Sequence, residues 1–124
     1  DHDADMLLRR CTLLKGAAEL MNYKYGDDTV ELEIEGQYRN MAEILSNRME
    51  IVDKAKAAIE KAGLKPVLRP IRGGTDGAQL SFRGLPCPNL GTGGFAFHGP
   101  YEHISAENMD KAVEIVLNLA ACGR

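Results

Sequence analysis

Arg72-Gly73-Gly74-Thr75-Asp76-Gly77 and, a short way on, Gly91-Thr92-Gly93-Gly94-Phe95-Ala96-Phe97-His98-Gly99-Pro100-Tyr101-Glu102-His103 are the stretches that decide how this chain is read. Eight of its thirteen glycines fall between Gly73 and Gly99. Glycine lets the backbone take a positive φ or approach a ligand closely. Two glycine loops therefore bracket a short segment, and the second delivers a histidine followed four residues later by a carboxylate. Together they read as the floor of a ligand site.

Outward from these loops, the rhythm of the chain is helix, strand, helix, strand, helix. Residues 48–62 form an alanine-rich helical stretch stopped by Gly63, with Met49, Val52, Lys56 and Ile59 along one strip. Asn40 and Asn47 predict a break before it. Val67, Leu68 and Ile71 suit a short buried strand between Pro66 and Pro70. Thr75 or Asp76 caps a short helix running through Leu80 and Phe82 to Gly84. Leu85–Leu90 is an extended run, and Ser105 caps a last helix with a stripe of Met109, Ala112, Val113, Val116, Leu117 and Ala120. This order predicts an α/β arrangement, a parallel-rich sheet with helices on its faces.

The first forty residues read differently. Asp3 is placed to cap a helix, with Asp5 in its first turn, and Leu7, Cys11, Leu14, Ala18 and Met21 recur at helical spacing up to Gly26. From Thr29 to Glu35 the chain alternates: Val30, Leu32 and Ile34 on one side, Glu31, Glu33 and Glu35 on the other. That predicts a half-buried strand of an antiparallel sheet, its glutamates a solvated face rather than a metal site. The expected division is residues 1–40 as part of an α+β layer and residues 41–124 as the glycine-loop region.

Composition narrows the function classes. The 124 residues, 44% apolar, fit one domain or a piece of one. A net charge of −3 with no basic cluster beyond Arg9-Arg10 gives no footprint for nucleic acid. No apolar run reaches the ~18 residues that a membrane span needs. Cys11, Cys87 and Cys122 lack a Cys-x-x-Cys spacing and read as reduced, buried thiols of a cytoplasmic protein. Residues 1–62 carry nine basic and thirteen acidic side chains, residues 63–124 six and five, and all five prolines lie at or after Pro66. With no initial methionine, the chain is expected to be part of something longer.

At the glycine loops two readings stand side by side. Gly73-Gly74-Thr75 ahead of a helix start suits a carboxylate or phosphate, and Arg72 adds a planar fork for a carboxylate. The same residues also make an ordinary tight turn with Asp76 as a cap. His98, between glycine-rich backbone and Gly99-Pro100, reads either as a metal ligand with Glu102 behind its ring or as a surface or packing residue. His2 and His103 read as exposed or locally hydrogen-bonded side chains.

The run Pro70-Ile71-Arg72-Gly73-Gly74-Thr75-Asp76-Gly77-Ala78-Gln79-Leu80-Ser81-Phe82-Arg83-Gly84-Leu85-Pro86-Cys87-Pro88-Asn89-Leu90 closely resembles the C-terminal part of the peptidase T family, tripeptide aminopeptidases of the di-zinc superfamily that also holds carboxypeptidase G and the aminoacylases. Thr92-Gly93-Gly94, His98-Gly99 and Glu102 continue the likeness, as do Asp1-His2-Asp3 and Gln37-Tyr38-Arg39-Asn40-Met41, which resemble lid-domain segments. The resemblance implies that residues 1–40 are half of a ferredoxin-like lid and residues 41–124 the closing part of a catalytic domain. It implies that His98 is a zinc ligand, that Arg72, Gly73, Gly74 and Thr75 line the pocket for the substrate's backbone and carboxylate, and that Asp76 and Glu102 brace the site. Tyr101-Glu102-His103 departs from some relatives at its third position, so His103 inherits no role.

The family's other ligands come from a His-x-Asp, a bridging aspartate, a Glu-Glu pair and a further carboxylate. Here His2 is followed by Asp3-Ala4, and no Glu-Glu occurs. The implied parent is a two-zinc enzyme acting on short peptides, with its general base outside this chain. The chain alone is expected to be inactive, and to self-associate or to need the remainder of the enzyme. The alternatives are a non-catalytic binding module using Gly73–Thr75 as an anion cradle, and a structural remnant with no ligand at all.

Overall fold

In the computed structural model, residues 3–71 and 73–121 are described. They form five helices: α1 (Ala4–Tyr25), α2 (Ala42–Leu45), α3 (Met49–Lys61), α4 (Asp76–Phe82) and α5 (Ala106–Ala121). Among the described residues no strand forms, and β pairing is limited to one antiparallel bridge between Phe95 and His103. The chain divides into two compact units, Asp1–Gln37 and Tyr38–Arg124.

In the first unit, α1 starts where its cap predicts. Asp3 is extended, and its Oδ1 accepts the Met6 N–H at 3.0 Å, satisfying one of the donors a helix start leaves free. Asp5 in the first turn and Lys24 in the last complement the helix dipole, and Gly26 closes the helix by donating its N–H to the Asn22 carbonyl at 2.9 Å. The apolar stripe is only partly covered. Cys11 and Ala18 are half-buried, whereas Leu7, Leu14 and Met21 stay exposed.

The strand expected over Thr29–Glu35 does not form. A strand needs a neighbour for its alternate N–H and C=O groups, and an isolated one has little to hold it. Here the neighbour is a side chain. Asn22 Nδ2 donates to the Val30 carbonyl at 3.0 Å, and the Val30 N–H donates to Asn22 Oδ1 at 2.8 Å. This amide satisfies one residue as a strand would and leaves Leu32 and Ile34 on the surface.

In the second unit, the break between Asn40 and Asn47 contains a single helical turn. Asn40 Oδ1 accepts the Ala42 N–H at 3.0 Å, and the turn buries Leu45. The helix after it follows the expected bounds closely, but its buried face is rotated. Val52, Ala55, Ala58 and Ala62 go inside, while Met49 is exposed and Lys56 and Ile59 are half-buried. The reason is the partner. α5 packs on α3 around Ala58, Ala62 and Ile115, with Ile59, Leu90 and Leu119 at the margin. Alanines let the helices come close enough for Lys111 Nζ to donate to the Ala62 carbonyl at 2.8 Å and Asn118 Nδ2 to the Ala58 carbonyl at 3.3 Å.

The side of α5 that turns inward carries both these polar contacts and the apolar core residues. Lys111, Ala112, Ile115, Asn118 and Leu119 are at least half-buried, whereas Met109, Val113, Val116 and Leu117 of the expected stripe are more than half exposed. α5 has two apolar sides, and periodicity alone selected the one that α3 does not use. The strand expected at Val67–Ile71 and the extended run at Leu85–Leu90 likewise find no strand partner among the described residues. Val67, Leu68 and Ile71 are 62%, 71% and 51% exposed. The helices of the α/β rhythm are therefore present, and no parallel sheet forms among the described residues.

Candidate functional site

The first glycine loop leads into α4 through Thr75. This residue is extended, and its Oγ1 accepts both the Ala78 N–H at 3.2 Å and Asn89 Nδ2 at 3.1 Å. Thr75, not Asp76, is thus the cap, and Asp76 is the first residue of the helix, where a carboxylate is favoured by the dipole. Arg72 lies outside the described residues. Gly74 is a glycine for lack of room. A Cβ there would fall 2.1 Å from Cγ and Cδ2 of Tyr38, whose ring packs on this backbone.

α4 is tied to the segment after it by a buried hydroxyl. Ser81 Oγ donates to the Gly77 carbonyl at 2.7 Å and accepts the Cys87 N–H at 2.9 Å. At Gly77 a Cβ would meet the Cys87 carbonyl at 2.6 Å and Asn89 Oδ1 at 2.8 Å, so the helix and the Pro86–Asn89 backbone touch directly. Asn89 then reaches back to Thr75, closing a ring of contacts behind the first loop. Arg39 adds a guanidinium 4.0 Å from the centre of the Phe82 ring and an ion pair with Glu43.

The second loop is anchored at both ends. Asn108, in the first turn of α5, donates Nδ2 to the Gly93 carbonyl at 2.8 Å. Phe95 and His103 exchange main-chain hydrogen bonds at 2.8 and 3.1 Å, and their rings stack with centroids 5.4 Å apart. His103 Nδ1–H donates to the Tyr101 carbonyl at 2.7 Å, the local hydrogen bond expected of it. Within this clip the chain turns through Ala96 and His98, both left-handed at φ 54° and 64°. His98 is exposed near the tip. The carboxylate of Glu102 meets its backbone: the His98 N–H donates to Oε2 at 3.0 Å.

Each glycine loop is therefore held in its own hydrogen-bonded frame. Gly73, Gly74, Thr75 and Asp76 share the first, and His98 and Glu102 share the second. A catalytic zinc takes about three protein ligands. Among the described residues no three of His, Cys, Asp and Glu come together to hold a metal ion, so these residues do not make such a site by themselves. Sequence reasoning missed Tyr38, Asn89 and the Phe95–His103 clip, because contacts across 36, 14 and 8 positions leave no periodic trace. The only local hint was the crowding of small residues at 73–77, which implies something packed against them.

The chain matches the description of Peptidase family M20/M25/M40 over residues 6–121. Peptidase T of Alkaliphilus oremlandii is 47% identical over 119 residues, covering 96% of this chain and 29% of that protein. Peptidase T of Fusobacterium nucleatum is 44% identical with the same coverage, and that of Exiguobacterium sibiricum is 48% identical over 120 residues, 97% of this chain and 29% of its own length. The chain thus spans less than a third of the length of these curated relatives. With a family match that runs through both glycine loops and all but the edges of the chain, it belongs to peptidase family M20/M25/M40.

Proposed function

We propose that this chain is part of a metal-dependent aminopeptidase that removes N-terminal residues from tripeptides, and that His98 is one of its zinc ligands. The observation that carries the reading is the setting of His98. It lies within the family match, exposed at the tip of a loop whose backbone is fixed at both ends. A neutral imidazole there suits zinc, and the remaining ligands and the general base would come from outside these 124 residues. The chain alone would then bind zinc weakly and cleave no tripeptide.

In this proposal, Arg72 and the Gly73-Gly74-Thr75 backbone receive the peptide's carboxylate end, and Asp76 braces them from the first turn of α4. Residues 1–40 are half of the lid and residues 41–124 the last part of the catalytic domain. The segments expected as strands at 29–35, 67–71 and 85–90 become strands once neighbouring strands of the complete enzyme reach them, in a sheet parallel in the catalytic part. Among the described residues no helix is long and apolar enough to cross a membrane. We place the enzyme in the cytoplasm, where short peptides are degraded.

The test is His98→Ala in the complete enzyme, comparing zinc content and tripeptidase activity with thermal stability in excess chelator. Zinc content and turnover should fall while the chelated melting temperature holds, since loop substitutions usually change stability by within about 0.5 kcal/mol. Wild-type turnover and zinc content would remove His98 as a ligand. A much lower melting point without metal would make it a packing residue.

A further inference from the structure

We propose that Glu102 is a positioning residue for His98 that works through the histidine's main chain. Its carboxylate accepts the His98 N–H at 3.0 Å, four residues back along the loop. The His98 backbone is left-handed at φ 64°, a conformation disfavoured for any residue with a Cβ, so something must hold it. Two devices are in place. The Phe95–His103 bridge and ring stack fix the ends of the loop, and Glu102, next to His103, bonds the turn itself. With the main chain fixed, the Cα–Cβ bond of His98 leaves the loop in a set direction.

This differs from the usual carboxylate–histidine–metal arrangement, in which the carboxylate bonds the ring and raises its basicity. A backbone grip requires an acceptor at position 102 and not a charge. The functional consequence rests on the reading of His98 as a zinc ligand, whereas the backbone grip itself does not.

The experiment compares Glu102→Gln, Glu102→Ala and His98→Ala in the complete enzyme with two readouts. One is hydrogen exchange at the His98 amide, measured in chelator by residue-resolved mass spectrometry. The other is zinc affinity by titration of the apo enzyme with zinc alone. The glutamine oxygen still accepts, so Glu102→Gln should keep exchange and affinity within about threefold of wild type, allowing for the weaker uncharged bond. Glu102→Ala should speed exchange at His98 and weaken zinc by about 10–100-fold, the usual effect of losing a residue that orients a ligand.

Equal damage from glutamine and alanine would overturn the proposal, since charge on the ring or the metal would then be the agent. Unchanged exchange in Glu102→Ala would overturn it as well. His98→Ala separates the two readings. If it keeps zinc, His98 is no ligand, and the exchange result still decides whether Glu102 holds the loop.

Discussion

Tyr38 and Gly74 make a contact that leaves no room for a side chain at position 74: the ring carbons Cγ and Cδ2 sit 2.1 Å from where a Cβ would be. These atoms are at the root of the ring, so the tyrosine cannot clear the space by moving only its hydroxyl end. Gly74→Ala is expected to destabilise the Tyr38–Arg124 unit by about 1–3 kcal/mol, the range for overpacking. Tyr38→Ala in the same background should recover part of that loss. A double-mutant cycle in urea checks it; additive effects would show that the two residues are not coupled.

Ser81 is 1% exposed and serves two backbone groups at once. Replacing it with alanine strands the Cys87 N–H, at about 1–3 kcal/mol. Because that bond holds the 85–89 segment to α4, Cys87 should also become more reactive to a thiol reagent, while Cys11, in the other unit, keeps its rate. Thiol titration of the two cysteines, resolved by peptide mapping, reads this directly.

Lys111→Met keeps most of the side chain's apolar stem but removes the donor to the Ala62 carbonyl and the ion pair with Glu114. The side chain is 44% exposed, so water partly replaces both partners. A loss of about 1 kcal/mol is expected, within the usual range for one hydrogen bond. Ala58→Leu, by contrast, should cost more by forcing α3 and α5 apart at a residue 1% exposed. Denaturation of both variants gives the order; a larger effect from Lys111→Met would mean that polar contact, not close packing, dominates this pair.

Glu107 lies in the first turn of α5, where its own main-chain N–H and the Ser105 hydroxyl hold its carboxyl below the usual value of 4.5. A depressed native pKa contributes stability that is present above the unfolded value and is lost as pH falls through the native one. Acid should therefore loosen the start of α5 only below about pH 4.5, and Glu107→Gln should remove that pH dependence. Carboxyl titration by NMR is the measurement; a Glu107 midpoint at or above 4.5 would contradict it.

The unused apolar side of α5 sets an expectation for the chain in isolation. Met109, Val113, Val116 and Leu117 are each more than half exposed along one helix. The isolated chain should associate as concentration rises, and Val113→Glu with Leu117→Glu should weaken that association. Sedimentation velocity across a hundredfold concentration range decides it, and a concentration-independent monomer for the parent sequence would exclude it.

What could be read from the sequence followed the range of the forces involved. Helix ends at Asp3, Gly26 and Gly63 depend on the few residues around them, and the sequence located them, with the α4 start narrowed to Thr75 or Asp76. Strands depend on distant partners, so the alternation at Val30–Glu35 marked a face able to pair without saying whether anything would meet it. The α5 stripe failed for a related reason. Both sides of that helix are apolar, and the side that goes inward is the one carrying Ile115 and Leu119 to the alanines at 58 and 62, with Lys111 and Asn118 reaching carbonyls there. At the candidate site, the glycines disclosed that something came close at 74 and 77, but not that it was Tyr38 and the Cys87 carbonyl.

The two hydrogen bonds from α5 to α3 bear on the order in which the chain takes shape. Lys111 and Ala62 are 49 positions apart, and Asn118 and Ala58 are 60 apart. At a synthesis rate of ~5–20 residues per second, α3 waits roughly 3–12 s for its partner to be made. The Asn22–Val30 link spans only eight positions and closes almost as soon as it is synthesised. On the ribosome the α1 unit is therefore assembled early. In their core, Ala58 and Ala62 have only Ile59 and Leu90 against them until the sixteen-residue α5 emerges. Truncating the chain anywhere before α5 would take Ile115 and Leu119 out of the core around Ala58 and Ala62.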